Sequence, residues 1–153
     1  MLNLKVKIME FAIIQKPECT KQFGRNAFLA TLEVLLRRAS LPVRVIGFYE
    51  VTLARDIVES FYEEHKEKTF FTDLVDFMTS GPCVVYKLKS SSNDENLLSQ
   101  FRAQIVGATN PADAELWTLR HMLGTNLTKN GVHCPRTWNE ARIEMEKLRV
   151  FVQ

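Results

Sequence analysis

Four short runs of β-branched and aromatic residues, set apart by stretches with helical spacing, limit this chain to a small set of layered folds. Phe11-Ala12-Ile13-Ile14 is apolar throughout and stops at Lys16-Pro17, which reads as a buried strand ending at a turn. Residues 43–51 follow Pro42 and are rich in Val, Ile, Phe and Tyr, and residues 83–88 follow the breaker Ser80-Gly81-Pro82; both read as strands. Val132-His133 is a short fourth. Between the first two strands, Phe28, Leu32, Leu35 and Leu36 recur at helical spacing. Arg37 and Arg38 close that stretch, where cations suit the helix dipole, so a helix over 26–38 is predicted. Residues 53–65, 70–78 and 138–148 read as further helices. A polar loop over 90–94 caps another that starts near Glu95, and Asn110-Pro111 opens one running to about residue 122.

Strands joined by both hairpin-like and crossover connections favour an α+β sheet of split βαβ type with helices on one face. The alternative is a doubly wound parallel sheet. No G-x-G-x-x-G follows the first strand and no G-x-x-x-x-G-K-[ST] occurs, so a nucleotide bound here must be held in some other way. With 153 residues, 46% of them apolar, and no repeat or linker, one domain over 1–153 is expected. Twenty basic residues against eighteen acidic leave a formal charge of +2, far short of a dedicated nucleic-acid binder. Any anionic ligand then needs a local cluster of cations. The three cysteines, Cys19, Cys83 and Cys134, are widely spaced with no C-x-x-C pair, which fits the reducing cytoplasm better than a disulfide scaffold or a zinc site. Residues 1–14 interleave Lys5, Lys7 and Glu10 with apolar residues, so no signal-peptide core is seen. No later stretch has the apolar length of a membrane span, and a soluble protein without a membrane partner is expected.

The densest group of chemically useful residues is Thr109-Asn110-Pro111-Ala112-Asp113, Leu119-Arg120 and Asn130-Gly131-Val132-His133. From Gly107 to His133, without a gap, it resembles the nucleoside diphosphate kinase family, whose pattern is Gly-x-Thr-Asn-Pro-Ala-Asp followed by Arg, Asn and His. Three more segments are similar to that family: Ala12 through Pro17, Tyr62-Glu63-Glu64-His65 leading to Phe70-Phe71, and Phe77 through Pro82. Together they cover most of the chain.

The resemblance implies a ferredoxin-like split βαβ fold with a four-stranded antiparallel sheet covered by helices. It also implies transfer of the terminal phosphate of a nucleoside triphosphate to a nucleoside diphosphate by a ping-pong phosphohistidine route. His133 would be the nucleophile, since a neutral imidazole offers a lone pair at physiological pH. Glu144 would hydrogen-bond that ring and fix its tautomer. Lys16 and Arg120 would neutralise the transferring phosphate, Thr109 and Asn130 would bond phosphate and sugar, and Tyr62 would support the nucleophile. Phe70 would stack on the base with Leu127 opposite, a contact open to every base because all present a π-face. ATP and other nucleoside tri- and diphosphates are the implied partners, with Mg2+ carried on their phosphates and no metal held by the protein alone. A homo-oligomer, hexamer or tetramer, is implied as well. His65 and His121 match no role in the pattern and read as structural. Cys134 beside His133 would be a thiol nucleophile or half of a metal pair only on the strength of one dipeptide.

The chain also departs from the pattern. The family's histidine is followed by Gly-Ser-Asp, and here Cys134-Pro135-Arg136 follow. Counting back without a gap puts Ala103 where the family has a phosphate-binding Arg; the adjacent Arg102, about 100° round the helix, either bends round to reach the phosphates or points to solvent, and the gapless register favours solvent. His121-Met122-Leu123 replace Gly-Asp-Phe, and Glu18 stands where Asp is usual. These departures leave a second reading beside the enzyme, an interaction module that keeps the fold and nucleotide binding but little turnover.

Overall fold

The computed structural model describes residues 9–152. Strand β1 (Met9–Gln15) leads into α1 (Pro17–Ala39), and β2 (Val43–Val51) is followed by α2 (Arg55–Phe61), a 3-10 turn (Glu63–His65) and α3 (Phe71–Met78). After β3 (Cys83–Ser90) come α4 (Leu97–Phe101), a π-helical turn (Arg102–Val106), a 3-10 turn (Pro111–Asp113), α5 (Leu119–Leu123), β4 (Val132–His133), α6 (Trp138–Lys147) and α7 (Arg149–Val152). The sheet order is β2-β3-β1-β4 and each neighbouring pair is antiparallel, which is the expected split βαβ sheet.

Helices cover both faces of the sheet, not one. On β1, Phe11 and Ile13 enter a core with Phe28, Leu32, Tyr86 and Phe101, while Ala12 and Ile14 enter a second with Val58, Leu74, Met78 and Val85. Successive side chains of a strand point to opposite faces, so an uninterrupted apolar run needs cover on both. At about 1.5–3 kcal/mol for each large apolar side chain, these two cores supply the main drive for folding.

Three helix boundaries differ from expectation. Helix α1 begins at Pro17, well before residue 26, because proline is pre-shaped for a first helical position, where its missing N–H is not needed. Gly24, at φ 76 and ψ 168, kinks the helix and hid its first turns from the periodicity. The segment 53–65 shortens to α2 and a 3-10 turn. The helix expected over 111–122 is broken, since Ala114 is extended and Trp117 adopts φ 67; only a 3-10 turn and α5 remain.

Candidate active site

Pairing in the sheet brings the ends of two strands together. His133 on β4 lies opposite Ile14 of β1, so its ring points to the same face as Ile14, toward α2. There Phe61 and Tyr62 meet it edge-on, with ring centroids 4.8 and 5.7 Å away. Helix α6 starts where Thr137 caps it and Glu140 reaches back to the Arg136 N–H, and its later turn presents Glu144. His133 Nε2 and Glu144 Oε1 are 2.5 Å apart, and Glu144 is buried. A carboxylate so close keeps the ring proton on Nε2, leaving the Nδ1 lone pair available.

Lys16 follows β1 directly. Its backbone N–H donates to Gly131 O, and Glu18 accepts from Gly131 N–H at 2.7 Å, so the Asn130-Gly131 turn is tied to the start of α1. Gly131 sits at φ 90, which glycine adopts without a Cβ penalty. The Lys16 Nζ donates to Thr128 O at 3.0 Å and is buried. Burial, reinforced by the Arg120 charge, lowers its ammonium to about 8. The Arg120 guanidinium bridges Gly107 O and Val132 O, both at 3.0 Å, and Asn130 Nδ2 donates to Thr109 O at 3.0 Å. Burial lowers Arg120 as well, to about 10, and a guanidinium keeps its proton at neutral pH even so.

These groups surround one cavity of about 510 Å³. It is lined by all nine residues expected at the site from the sequence: Lys16, Tyr62, Phe70, Thr109, Arg120, Leu127, Asn130, His133 and Glu144. Phe70 and Leu127 are 46% and 62% exposed at its rim. Four buried polar atoms of its lining residues, Tyr62 Oη, His65 Nδ1, Arg120 Nε and Asn130 Oδ1, have no partner among the described residues. Unpartnered groups of this kind are rare in a folded interior and point to a polar ligand.

The Arg102 expectation is overturned. Its side chain lines this cavity and its Nη1 donates to Cys134 O at 2.8 Å, whereas Ala103 does not line it and instead lines a hollow beside Trp117 and a second beside Asp113 that it shares with Arg102. The π-helical turn explains the exchange: it takes up one more residue per turn than an α-helix, which rotates Arg102 inward and Ala103 outward. His65, expected to be structural only, also lines the cavity with its ring 5.4 Å from that of Phe70. Burial holds its pKa below the usual histidine value. The sequence reading also missed Phe61, Glu64, Arg136 and Glu140; the change of sign at Arg136 was the one visible signal among them. Burial pushes the Cys134 thiol up to about 12, which disfavours the thiolate that a nucleophile needs at neutral pH. Among the described residues no group of three metal-ligating side chains gathers.

The family model for nucleoside diphosphate kinase matches residues 13–149. A protein named nucleoside diphosphate kinase from Methylorubrum extorquens is 36% identical over 132 residues, covering 86% of this chain and 86% of the relative. One of the same name from Halorhodospira halophila is 40% identical over 114 residues, covering 74% and 77%. Among solved structures, the Aquifex aeolicus nucleoside diphosphate kinase superimposes with a TM-score of 0.77 at 24% identity, covering 92% of this chain and 94% of that one. A Halobacterium salinarum nucleoside diphosphate kinase, solved in complex with CDP, gives 0.73 at 23% identity, covering 90% and 85%. At those identities the structures speak to the fold.

Proposed function

The chain belongs to the nucleoside diphosphate kinase family, and on that premise we propose that His133 Nδ1 is the atom that carries the phosphoryl group. The activity is transfer of the terminal phosphate of a nucleoside triphosphate to a nucleoside diphosphate. The observation that carries the atomic assignment is the 2.5 Å contact between His133 Nε2 and Glu144, which commits one ring nitrogen and leaves the other for attack.

In the first half-reaction the Nδ1 lone pair attacks the terminal phosphorus, a P–N bond forms, and the bond from that phosphorus to the diphosphate oxygen breaks. The ring proton stays on Nε2, where Glu144 balances the positive charge that the ring gains. The diphosphate leaves, a second nucleoside diphosphate enters, and the same steps run in reverse. Lys16, Arg102 and Arg120 hold positive charge where negative charge spreads over the transferring oxygens, and Tyr62 Oη donates to the same group. Thr109 and Asn130 bind phosphate and sugar, with Phe70 and Leu127 on either side of the base.

The carboxylates of the cavity are already engaged, Glu144 with His133 and Glu64 and Glu140 with Arg136, so the residues fit a Mg2+ ion brought in on the nucleotide's phosphates. Bound there, the ion neutralises phosphate charge. We also read the chain as a homo-oligomer, hexamer or tetramer: β2 is an edge strand with Ile46, Phe48 and Tyr49 exposed, an arrangement that isolated proteins avoid. No helix among the described residues is long and apolar enough to cross a membrane, and three free thiols support a cytoplasmic location.

Incubation with radiolabelled ATP and Mg2+ tests the assignment. The expected label is acid-labile and alkali-stable, is removed by a nucleoside diphosphate and is absent in His133→Ala. Equal labelling of His133→Ala would remove His133 as nucleophile, and nucleotide binding without any label would favour the interaction-module reading.

A further inference from the structure

We propose that Arg136 is a phosphate-binding residue of this site, parked on Glu64 and Glu140 until the phosphate chain of a nucleotide draws it inward. The inference rests on the nucleotide-site reading above and adds a contact that the usual acidic residue at this place does not make.

Four cations line the cavity, and three of them are fixed by neutral partners: Lys16 on Thr128 O, Arg102 on Cys134 O and Pro135 O, and Arg120 on Gly107 O and Val132 O. Arg136 alone rests on carboxylates, with Nη2 3.6 Å from Glu64 Oε1 and 3.4 Å from Glu140 Oε1. Its side chain is 59% exposed. Its backbone, by contrast, is pinned on both sides. Arg102 holds the two preceding carbonyls, and the Arg136 N–H donates to Glu140 Oε2 at 2.8 Å. Only the side chain is free to turn.

The direction of the exchange follows from the strengths involved. Exposed ion pairs contribute little and are readily given up. A phosphate chain offers more charge and two oxygens that match the guanidinium fork. Until it arrives, Arg136 also masks Glu64 and Glu140, which would otherwise repel an anion at the mouth. A carboxylate at position 136 would do neither.

The experiment titrates the full chain with ADP by calorimetry and with adenosine by nuclear magnetic resonance, for the parent, Arg136→Gln and Arg136→Lys. Arg136→Gln should weaken ADP by about tenfold or more and adenosine by less than about twofold. Its ADP affinity should fall less steeply with salt than the parent's, and Arg136→Lys should recover part of the loss. Circular dichroism checks that both variants fold. Equal losses for ADP and adenosine would make Arg136 a purely structural brace and overturn the proposal. Unchanged ADP binding in Arg136→Gln would overturn it too, leaving the site reading intact, whereas a parent that binds no ADP would overturn both.

Discussion

Replacing Lys16 with Met should make the unliganded protein more stable while disabling its site. Lys16 is buried, and its ammonium falls from 10.5 to about 8, chiefly because burial disfavours the charged form. At about 1.4 kcal/mol for each tenfold change in proton affinity, keeping this lysine charged in the fold costs roughly 3 kcal/mol. Below pH 8 both folded and unfolded chains are protonated and the cost is complete. Between pH 8 and 10.5 the folded chain releases its proton first, the unfolded chain binds more protons, and stability rises with pH until the cost is gone. Met fills a similar volume but loses the hydrogen bond to Thr128 O, worth about 1 kcal/mol. The net gain for Lys16→Met at pH 7 is therefore about 2 kcal/mol, or roughly 4–8 °C in Tm, and it should vanish by pH 10.5. Urea melts of parent and variant at pH 7, 9 and 10.5 measure this, and kcat of the variant should fall by about a hundredfold or more. A variant no more stable than the parent at pH 7, or equally stabilised at all three values, would refute the claim that a charged, buried lysine is being held at a cost.

Three further outcomes follow from particular contacts. Glu144→Ala should lower kcat by about 10–100-fold with ADP affinity little changed, measured by steady-state kinetics and calorimetry, because it removes the partner that fixes the His133 tautomer. Arg102→Ala should lower kcat/KM by about tenfold or more, through lost charge and a loosened Cys134-Pro135 segment, while Ala103→Arg should leave nucleotide affinity unchanged because it faces another hollow. Gly107→Ala should cost about 2–4 kcal/mol in urea melts, since φ is +91 and a Cβ there would collide with the Thr118 hydroxyl.

Strands β1 to β3 were legible because β-branched runs bounded by Pro and Gly leave few alternatives; His133 was legible because it closes a gapless pattern, and Glu144 because the family resemblance implies a carboxylate eleven residues on. The start of α1 was not, because a Lys-Pro pair ends a strand and opens a helix equally well. The break after Asp113 was not, because nothing local requires Trp117 to take a positive φ; the Thr118 side chain bonds to Glu115 O and caps α5, and tertiary packing settles the rest. Arg102 was misplaced for a different reason. Counting along a helix assumes a constant turn, and one π-helical turn breaks that assumption without any mark in composition or periodicity. Arg136, Glu64 and Glu140 come from separate segments, and only the fold shows that they meet.

The misplaced arginine and the costly lysine have a common physical origin. A site that moves a phosphoryl group needs positive charge aimed at a fixed point, and its donors should not have to reorganise as the reaction proceeds. Lys16, Arg102 and Arg120 are therefore each tied to backbone carbonyls, which orient them without cancelling their charge as carboxylates would. Carbonyls available for this purpose come from irregular backbone, where ladder and helix hydrogen bonds have ended. Gly107, at the end of the π-helical turn, donates its N–H to Arg102 O and offers its own carbonyl to Arg120. The same turn that rotates Arg102 into the cavity thus anchors the second guanidinium. Burial first, and a neighbouring arginine second, lowers both Lys16 and Arg120, and that unfavourable energy is relieved when an anion enters between them.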